Sequence, residues 1–190
     1  MAETSKFIVE IIRLIECFSK NKFDNLKIID IGSGDDPLSH FIDTFDLPVP
    51  YTKNCNVNWL TFTGDARYIK DIVKSKYDVV YSSHLLEDFD RSETVNVLRN
   101  WSELLNIGGI LVLLLPDQQK YLERCERIGE SPNEHHSIND FSLSYILECL
   151  SELNNMSVVY NYEFFIKDPL EYNFLVIATK ISKLDGNFAI

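Results

Sequence analysis

The stretch "IIDIGSGDDPL", residues 28–38, contains an apolar run, a turn with two glycines and three acidic residues. The run that ends at Ile31 is short and almost unbroken, which is typical of a strand buried on both faces of a sheet. Asp36 and Pro37 then suit the cap and the first turn of a helix, which we expect at 37–45. In an open α/β sheet, ligands bind beyond the carboxyl ends of the strands. The stretch therefore predicts a strand, a ligand-binding loop and a helix.

Short apolar runs and helical patterns alternate along the remainder of the chain. An amphipathic first helix is predicted from apolar residues at helical spacing: Ile8, Ile11, Ile12, Ile15 and Phe18. Strands are predicted at 26–31, 58–62, 77–82 and 109–115, and helices at 37–45, 66–75, 91–105 and 140–153. Two closing strands, 156–164 and 172–180, are expected to pair antiparallel. This order predicts an α/β fold with a mostly parallel sheet, an antiparallel edge strand and helices on both faces.

Composition and charge argue against several classes of protein. The net charge of −11 disfavours a surface that follows nucleic-acid phosphates, so nucleic acid is not expected as a substrate. The longest apolar run, 110–115, is far too short to span a bilayer. The cysteines Cys17, Cys55, Cys125 and Cys149 lack the spacing of a metal site. They are expected to be reduced thiols, as in a cytoplasmic protein.

The loop after Ile31 does not match the common phosphate-binding patterns. A P-loop requires a lysine that is absent here, and Pro37 stands where a dinucleotide-binding fingerprint has its third glycine. Asp30, Asp35 and Asp36 would also repel a pyrophosphate at short range. A ligand with positive charge fits better. S-adenosyl-L-methionine, which carries a sulfonium and an ammonium beside a single carboxylate, is therefore the predicted cofactor.

Four segments of the sequence, in the expected order and spacing, resemble motifs of the class I S-adenosylmethionine-dependent methyltransferases. They are "IDIGSG" (29–34), "TGDAR" (63–67), "YDVVYSSHLLEDF" (77–89) and "LNIGGILVLLLPD" (105–117). The likeness covers residues 26–118. Within this family, the sequence resembles the small, single-domain, type 11-like members. It implies a compact, seven-stranded, Rossmann-like domain and an enzyme that transfers a methyl group.

The resemblance also implies how particular residues would bind the cofactor. The sets are Asp30, Gly32, Ser33 and Gly34 at the methionine end, Asp65 and Ala66 at the adenine, and Ser83 and His84 near the transferable methyl group. Relatives have an acidic residue at the end of the second strand that bonds the ribose, whereas 51–63 here contains no carboxylate. Asp46 would serve if the second strand lies earlier, and Asn54 would serve as a neutral partner. The departure leaves open weak cofactor binding, or a non-catalytic binding or partner protein.

The whole chain, 1–190, is expected to form a single domain, because its length suffices for one sizeable core. Its parts are an N-terminal helix (1–22), a cofactor-binding core (26–116), a lid or acceptor region (117–142), and a C-terminal helix with strands (143–182). Asp90 and Glu93 are spaced as a capping box for the helix that follows. The tail "SKLDGNFAI" (182–190) is expected to be loosely attached.

His84, Glu87 and Asp88 raise the question of a metal ion. Some methyltransferases hold a divalent cation with Glu-x-x-Glu-His in this loop, and "NEHH" (133–136) would add a ligand. We favour the simpler interpretation, in which His84 packs beneath the cofactor while Glu87 and Asp88 form a solvated helix end. No metal site is predicted.

The segment "GESPNEHHSINDFS" (129–142) lies where this fold commonly builds its acceptor pocket. His135 and His136 are the predicted catalytic residues, because an imidazole with a pKa near about 6.5 can act as a general base. The alternative is that both are exposed loop residues, or that one caps the next helix. Three further residues either face the same space or begin a solvent-facing helix: Asp117, Gln118 and Tyr121.

The preferred function is methyl transfer from S-adenosyl-L-methionine to an oxygen or nitrogen of a small or modest-sized acceptor. A small molecule is expected as the acceptor, rather than a nucleic acid or a membrane. One rival is a non-catalytic binding or partner protein of the same fold. Another is a nicotinamide-dependent reductase, against which Pro37 argues.

Overall fold

The computed structural model describes residues 3–48, 59–136, 138–168 and 170–182. Seven strands form a mixed sheet with the order β3-β2-β1-β4-β5-β7-β6. The strands are β1 (Ile28–Ile31), β2 (Asp43–Asp46), β3 (Phe62–Thr63), β4 (Tyr77–Ser83), β5 (Leu105–Pro116), β6 (Met156–Glu163) and β7 (Asn173–Lys180). The α-helices of the described residues are α1 (Glu3–Ser19), α2 (Ile69–Ile72), α3 (Thr94–Glu103), α4 (Gln118–Ile128) and α5 (Leu143–Ser151).

Strands β1 to β5 run parallel, and β7 reverses the direction. Ile29 of β1 lies opposite Asp43 of β2 and Val80 of β4, with parallel pairing on both sides. β7 is antiparallel to β5 and to the edge strand β6. The predicted mostly parallel sheet and the antiparallel pairing of the closing strands are therefore confirmed. The reversed strand, β7, lies one position in from the edge.

Helices cover both faces of the sheet, because alternate residues of each strand point to opposite faces. On one face, α1 buries Ile11 and Ile15 against β4 and β5. On the other face, α3 and α5 bring Trp101 and Ile146 into a larger apolar cluster. The residues from 110 to 115 in β5 are at most 1% exposed, which explains the continuous apolar run in the sequence.

The helix predicted at 37–45 is wrong, because strand β2 occupies the end of that segment. Its two central residues, a threonine and a phenylalanine, favour a pleated strand and are buried in the sheet. The preceding loop is tied back to β1, where Oδ2 of Asp30 accepts the N–H of Leu38 at 2.8 Å. Of the described residues in the strand predicted at 58–62, only the last, Phe62, belongs to β3. The second strand of the sheet thus lies earlier in the sequence than the family pattern implies.

The segment predicted as a helix at 66–75 is broken into two short pieces. A 3-10 turn (Ala66–Tyr68) precedes α2. The capping box predicted at Asp90 and Glu93 is also wrong, because the Glu93 side chain makes no cap hydrogen bond. Its carboxylate accepts from the guanidinium of Arg67 instead. A contact with another element has therefore replaced the local cap.

The region predicted as a lid contains α4 and the loop after it. Asp117 is the N-cap of α4, since its Oδ1 accepts the N–H of Lys120 at 3.0 Å. The helix ends at Gly129, which has a φ of +71°. α5 then follows its own N-cap, Ser142. Most of the predicted loose tail, from 183 onward, lies outside the described residues.

Candidate functional site

Two cavities lie at the carboxyl ends of the parallel strands and meet at Gly32. The first cavity has a volume of about 250 Å³ and the second of about 390 Å³. The first is lined by all the residues predicted for the methionine and methyl end of the cofactor: Asp30, Gly32, Ser33, Gly34, Ser83 and His84. The second is lined by the predicted adenine residues, Asp65 and Ala66. The fold thus brings the eight predicted cofactor residues to one edge of the sheet.

Gly32 and Gly34 form the turn between the cavities. Their φ angles are +75° and +52°, in the left-handed region that favours glycine. The N–H of Gly32 donates to the carbonyl of Phe45 at 2.8 Å, which fixes the turn against β2. A Cβ added at Gly32 would lie 2.6 Å from Cδ2 of Leu85. This turn therefore requires glycine both for its backbone and for its close approach to the next loop.

Asp30 places a buried carboxylate at the base of the first cavity. The residue is 1% exposed, and the N–H of Leu38 is a hydrogen-bond donor to it. Burial raises the pKa of Asp30 to about 7, against the lowering effect of the Leu38 bond and with smaller contributions from the neighbouring charges of Asp46 and Asp36. Near neutral pH the group is therefore partly protonated. A cation in the cavity would favour its ionised form.

The first turn of α1 closes one side of the first cavity, a feature that the sequence did not indicate. The N–H of Ser5 donates to Oδ2 of Asp36 at 2.9 Å, and the Ser5 hydroxyl also donates to this carboxylate. Glu3 accepts from the hydroxyl of Tyr172 at 2.8 Å and from Nδ2 of Asn173 at 3.0 Å. These contacts join residues far apart in the chain. No local pattern in the sequence could therefore reveal them.

The lining of the first cavity is acidic. Its carboxylates belong to Glu3, Asp30, Asp35 and Asp36, and none of its described lining residues is a lysine or an arginine. Charges of one sign around a concave surface attract ions of the opposite sign and repel like ones. The cavity therefore favours a cationic group and disfavours a phosphate.

Asp46 lies at the carboxyl end of β2 and lines the second cavity. Its Oδ2 accepts the N–H of Gly34 at 2.7 Å, and its Oδ1 accepts the N–H of Leu47 at 2.7 Å. Burial raises the pKa of Asp46, although both hydrogen bonds lower it. Of the two residues considered for the ribose, Asp46 has the position required by an early second strand. Asn54 lies outside the described residues.

The second cavity combines apolar walls with the ion pair of Asp65 and Arg67, which also contacts Glu93 behind the lining. Oδ1 of Asp65 accepts the N–H of Arg67 at 2.9 Å, and the Arg67 guanidinium contacts both carboxylate oxygens. Nη1 of Arg67 also donates to Oε1 of Glu93 at 3.1 Å. The hydrogen bonds from Arg67 hold the pKa of Asp65 below its ordinary value, against the effect of burial. The apolar walls include Phe45, Leu47, Leu85 and Phe89.

His84 lies at the floor of the first cavity with a φ of +50°, which is uncommon for a residue other than glycine. Its Nε2 lies 2.7 Å from Oδ1 of Asn173, and its Nδ1 lies 3.2 Å from Oε1 of Glu87. Glu87 is 1% exposed, so its interpretation as part of a solvated helix end is wrong. Apart from the ion-pair contact with His84, neither carboxylate oxygen of Glu87 has a hydrogen-bond partner within the described part of the chain.

His136 lines the first cavity, whereas His135 is exposed and lines neither cavity. Nδ1 of His136 lies 2.8 Å from Oε1 of Gln118, and its Nε2 lies 3.9 Å from Oε1 of Glu87. The ring of Tyr121 packs against His136 with a centroid distance of 4.7 Å. Gln118 and Tyr121 therefore contribute to the site, and the two predicted catalytic histidines occupy different environments.

The imidazoles of His84 and His136 have opposite pKa shifts. Burial lowers the pKa of His84, but the carboxylates of Glu87 and Glu3 raise it more, so the net shift is upward. Burial is the main influence on His136 and lowers its pKa. At neutral pH His136 is therefore neutral and able to accept a proton, while His84 holds its proton more tightly.

Metal ligands and membrane spans are both missing from the part of the chain that the structure describes. No three histidine, cysteine, aspartate or glutamate side chains there are grouped as ligands of a metal ion would be. None of the described helices is long and apolar enough to cross a bilayer.

Methyltransferases are among the solved structures that match nearly the whole chain. The N-methyltransferase NodS from Bradyrhizobium japonicum WM9, in complex with S-adenosyl-L-homocysteine, matches with a TM-score of 0.64 and 13% identity, over 94% of this chain and 87% of its own. The magnesium protoporphyrin IX methyltransferase ChlM from Synechocystis PCC 6803 matches with a TM-score of 0.60 and 16% identity, over 92% of this chain and 82% of its own. The plantazolicin methyltransferase BamL matches with a TM-score of 0.69 and 13% identity, over 95% of this chain and 87% of its own. Its structure is a complex with a triazolic desmethylPZN analog and S-adenosyl-L-homocysteine.

No protein-family model and no curated protein matches the sequence. At identities of 13–16%, the structural matches establish a shared fold and not a shared activity. The fold expected from the four sequence motifs is confirmed by the strand order of the sheet and by these matches. The chain therefore has the fold of the class I S-adenosylmethionine-dependent methyltransferases.

Proposed function

We propose that this protein transfers a methyl group from S-adenosyl-L-methionine to an oxygen or nitrogen atom of a small or modest-sized acceptor. The observation that carries the proposal is the pair of cavities joined at Gly32. The first cavity is acidic, and the second has apolar walls with carboxylates at its edge. The cofactor has a cationic amino-acid end and a flat, neutral adenosine end. The two cavities suit these two halves.

The amino-acid end of the cofactor is assigned to the first cavity. Its ammonium and sulfonium would lie among the carboxylates there, and Asp30 would become fully ionised, because a nearby cation opposes the upward pKa shift caused by burial. Ser33 and Gly34 form the adjoining turn, and Ser83 and His84 form the floor. The acidic lining also explains why a diphosphate cofactor is disfavoured.

The adenosine end is assigned to the second cavity. Asp46 would accept hydrogen bonds from the ribose hydroxyls, since it lies at the carboxyl end of β2 and borders this cavity. Asp65 would accept from the amino group of adenine, with Ala66 beside the ring. Apolar side chains on the opposite wall would cover the purine faces, and their burial would favour binding.

The cofactor supplies a methyl group that is already activated by a positively charged sulfur. The protein must hold the acceptor in line with that group, exclude water, and take a proton from the acceptor where it carries one. His136 is assigned the proton, because burial keeps it neutral and Gln118 engages its Nδ1, which leaves Nε2 as the basic atom. Glu87, 3.9 Å from Nε2, would stabilise the imidazolium that forms. Such contacts often tighten when a substrate binds.

His135 is the second candidate for the proton. It is exposed next to His136, so it would reach the acceptor only if the loop after α4 moves inward. The two histidines therefore make distinguishable contributions. Replacement of the inner one is expected to affect turnover more.

The acceptor is expected to present a compact, uncharged or cationic reacting group. The first cavity has about 250 Å³ for the amino-acid end of the cofactor and for this group together. Its aromatic wall is formed by Tyr121, which lies 4.7 Å from the ring of His136 and 5.2 Å from that of Tyr172. The acidic lining disfavours an anionic acceptor. The name of ChlM, a magnesium protoporphyrin IX methyltransferase, supports a small-molecule acceptor.

Two measurements test the proposal. Isothermal titration with S-adenosyl-L-methionine and S-adenosyl-L-homocysteine is expected to show binding of one molecule per chain. Incubation with an isotopically labelled methyl donor and a panel of amines and phenols is expected to label an acceptor. His136→Gln should retain cofactor binding but lose turnover, and His135→Gln is the matched control. Failure of both compounds to bind would overturn the proposal.

A non-catalytic binding or partner protein of the same fold is the second candidate. It is favoured by the contact between Asp65 and Arg67, because the carboxylate assigned to adenine already has a partner. Binding of S-adenosyl-L-homocysteine without any labelled product across the panel would favour this second function.

A further inference from the structure

Three N–H groups of Arg67 make four contacts with the carboxylate of Asp65, because the single Nε–H is shared between both oxygens. Oδ1 of Asp65 accepts the backbone N–H of Arg67 at 2.9 Å and Nε at 3.0 Å. Oδ2 accepts Nε at 3.0 Å and Nη2 at 2.6 Å. A carboxylate offers about four acceptor positions in all. All four positions thus face an N–H of Arg67, and a new donor that approaches Asp65 in the second cavity competes with these contacts.

The contacts from the Arg67 side chain are the replaceable ones. The backbone N–H belongs to the 3-10 turn that Asp65 caps, so its loss would disturb local structure. The guanidinium contacts lie at the protein surface, where the side chains of Arg67 and Asp65 are 40% and 32% exposed. Water and salt weaken ion pairs at such positions.

Glu93 provides a second partner for the same guanidinium. Its Oε1 accepts from Nη1 of Arg67 at 3.1 Å, and its side chain is 34% exposed. Arg67 can therefore release Asp65 and still keep a carboxylate partner. Loss of one contact would not leave an unpaired charge in the cavity.

We propose that Arg67 determines the affinity and specificity of the second cavity by competing with the purine amino group for Asp65. This inference rests on the proposed function, which assigns adenine to that cavity. When the amino group arrives, the guanidinium moves to Glu93. A 6-oxo purine presents an acceptor in place of a donor at this position, so it cannot displace Arg67 from Asp65.

The affinity of S-adenosyl-L-homocysteine, measured by isothermal titration, tests the competition. Arg67→Gln is expected to tighten binding by up to about fivefold, the effect of removing one exposed ion pair. Glu93→Gln is expected to weaken binding, because among the described residues Asp65 is then the one carboxylate in contact with Arg67. Once Arg67 is absent, the Glu93 substitution should have no effect, so the double variant should match Arg67→Gln.

A matched control arginine lies outside the cavity. Arg91 also makes two contacts with a carboxylate, at 2.7 Å and 3.1 Å from the oxygens of Asp140. Arg91→Gln removes a similar exposed ion pair and the same charge from the chain. It is expected to leave the affinity of S-adenosyl-L-homocysteine unchanged.

Nucleobase and salt give two further tests. S-inosyl-L-homocysteine, which has the 6-oxo base, should bind Arg67→Gln no more tightly than the wild-type protein. The difference between these two proteins for S-adenosyl-L-homocysteine should shrink as salt is added, because salt screens the competing ion pair. If Arg67→Gln increases the affinity equally for S-adenosyl-L-homocysteine and S-inosyl-L-homocysteine, the inference is overturned.

The failure of this inference can be separated from the failure of the proposed function. If Asp65→Asn weakens binding but Arg67→Gln leaves it unchanged or weakens it, Arg67 merely supports Asp65 and the inference is wrong. If Asp65→Asn leaves the affinity unchanged, the assignment of adenine fails, and the competition fails with it. Absence of binding by the wild-type protein contradicts the proposed function itself.

Discussion

The Oε1 atom of Glu87 lies 3.2 Å from Nδ1 of His84, on the enclosed side of the first cavity. A buried carboxylate without an opposite charge is strongly unfavourable, so a proton on His84 compensates Glu87. Asn173 contacts the other ring nitrogen of His84 at 2.7 Å and fixes the orientation of the imidazole. The cavity floor therefore holds one histidine with a raised pKa, His84, beside another with a lowered pKa, His136.

Glu87→Gln is expected to lower the pKa of His84, because the carboxylate is the main influence that raises it. The raised pKa makes a contribution to stability that is fully present below the unfolded value of about 6.5 and is lost as pH rises through the folded pKa. The variant should lack this pH-dependent contribution. Histidine NMR titration measures the pKa, and urea unfolding across pH measures the stability.

Glu134→Gln is the control for this substitution, since Glu134 is an exposed glutamate in the loop that carries His136. It should leave the titration of His84 as in the wild-type protein. An unaltered His84 pKa in Glu87→Gln would show that the two side chains are not coupled as the distance implies.

The role of Glu87 illustrates what the sequence could predict and what it could not. The motifs placed the histidine and the glutamate in the right loop, because both follow the clearly apolar strand β4. Whether Glu87 is solvated depends on packing by the loop after α4, which brings Nε2 of His136 to 3.9 Å from Oε1 of Glu87 from a distant part of the chain. The same applies to Ser5 and Asp36, whose contact joins residues 31 positions apart.

Local pattern was sufficient where one signal dominated and misleading where two competed. β5 was predicted correctly because its long apolar run is buried on both faces. The helix expected at 37–45 is wrong because the strand-forming residues of β2 outweigh the capping pattern at Asp36 and Pro37. Pairing with β1, which decides the outcome, is a tertiary interaction and has no local signature.

Asp30→Asn is expected to flatten the dependence of stability on pH. The folded state raises the pKa of Asp30 from 3.8 to about 7, mainly through burial. Its contribution is therefore fully present below the unfolded pKa and is lost as pH rises from about 4 to about 7, by an amount on the order of a few kcal/mol. Asparagine keeps an oxygen for the N–H of Leu38 but cannot ionise. Urea unfolding at several pH values between about 4 and 8 measures the difference.

Asp35→Asn is the matched control, because Asp35 is an exposed aspartate in the same turn. It should retain the wild-type pH dependence. The Asp30 variant should also bind S-adenosyl-L-homocysteine more weakly, since the ammonium loses a charged neighbour. A pH slope in Asp30→Asn equal to that of the wild-type protein would contradict the raised pKa.

Gly32→Ala and Gly34→Ala form a pair that separates backbone strain from steric overlap. Both residues have positive φ, so both substitutions should cost about 1 kcal/mol or more in unfolding free energy through strain. Only at Gly32 would the new Cβ overlap a neighbour, at 2.6 Å from Leu85, while at Gly34 it meets nothing within 4 Å. Gly32→Ala should therefore be the less stable variant, and Gly32→Val should abolish cofactor binding.

Chemical denaturation and titration with S-adenosyl-L-homocysteine check both expectations for these glycines. Leu85 lines the second cavity, so its displacement should reduce affinity even where the protein still folds. Equal stability of the two alanine variants would show that the loop of Leu85 yields without cost. Retained binding by Gly32→Val would show that the turn does not border the cofactor.

Asp46→Asn is expected to weaken the binding of S-adenosyl-L-homocysteine by about tenfold or more, because hydrogen bonds to a charged acceptor are the stronger ones. Asn54→Ala is the rival substitution and should leave the affinity unchanged. Because Asp46 also accepts the N–H of Gly34, a loss of affinity alone does not distinguish ribose contact from a disturbed turn.

The 2′-deoxyribose analogue of S-adenosyl-L-homocysteine makes that distinction. If Asp46 bonds the ribose, removal of the 2′-hydroxyl should weaken binding to the wild-type protein and have little effect on Asp46→Asn. If removal of the 2′-hydroxyl weakens binding to Asp46→Asn as much as to the wild-type protein, but has no effect on Asn54→Ala, the ribose is assigned to Asn54 instead.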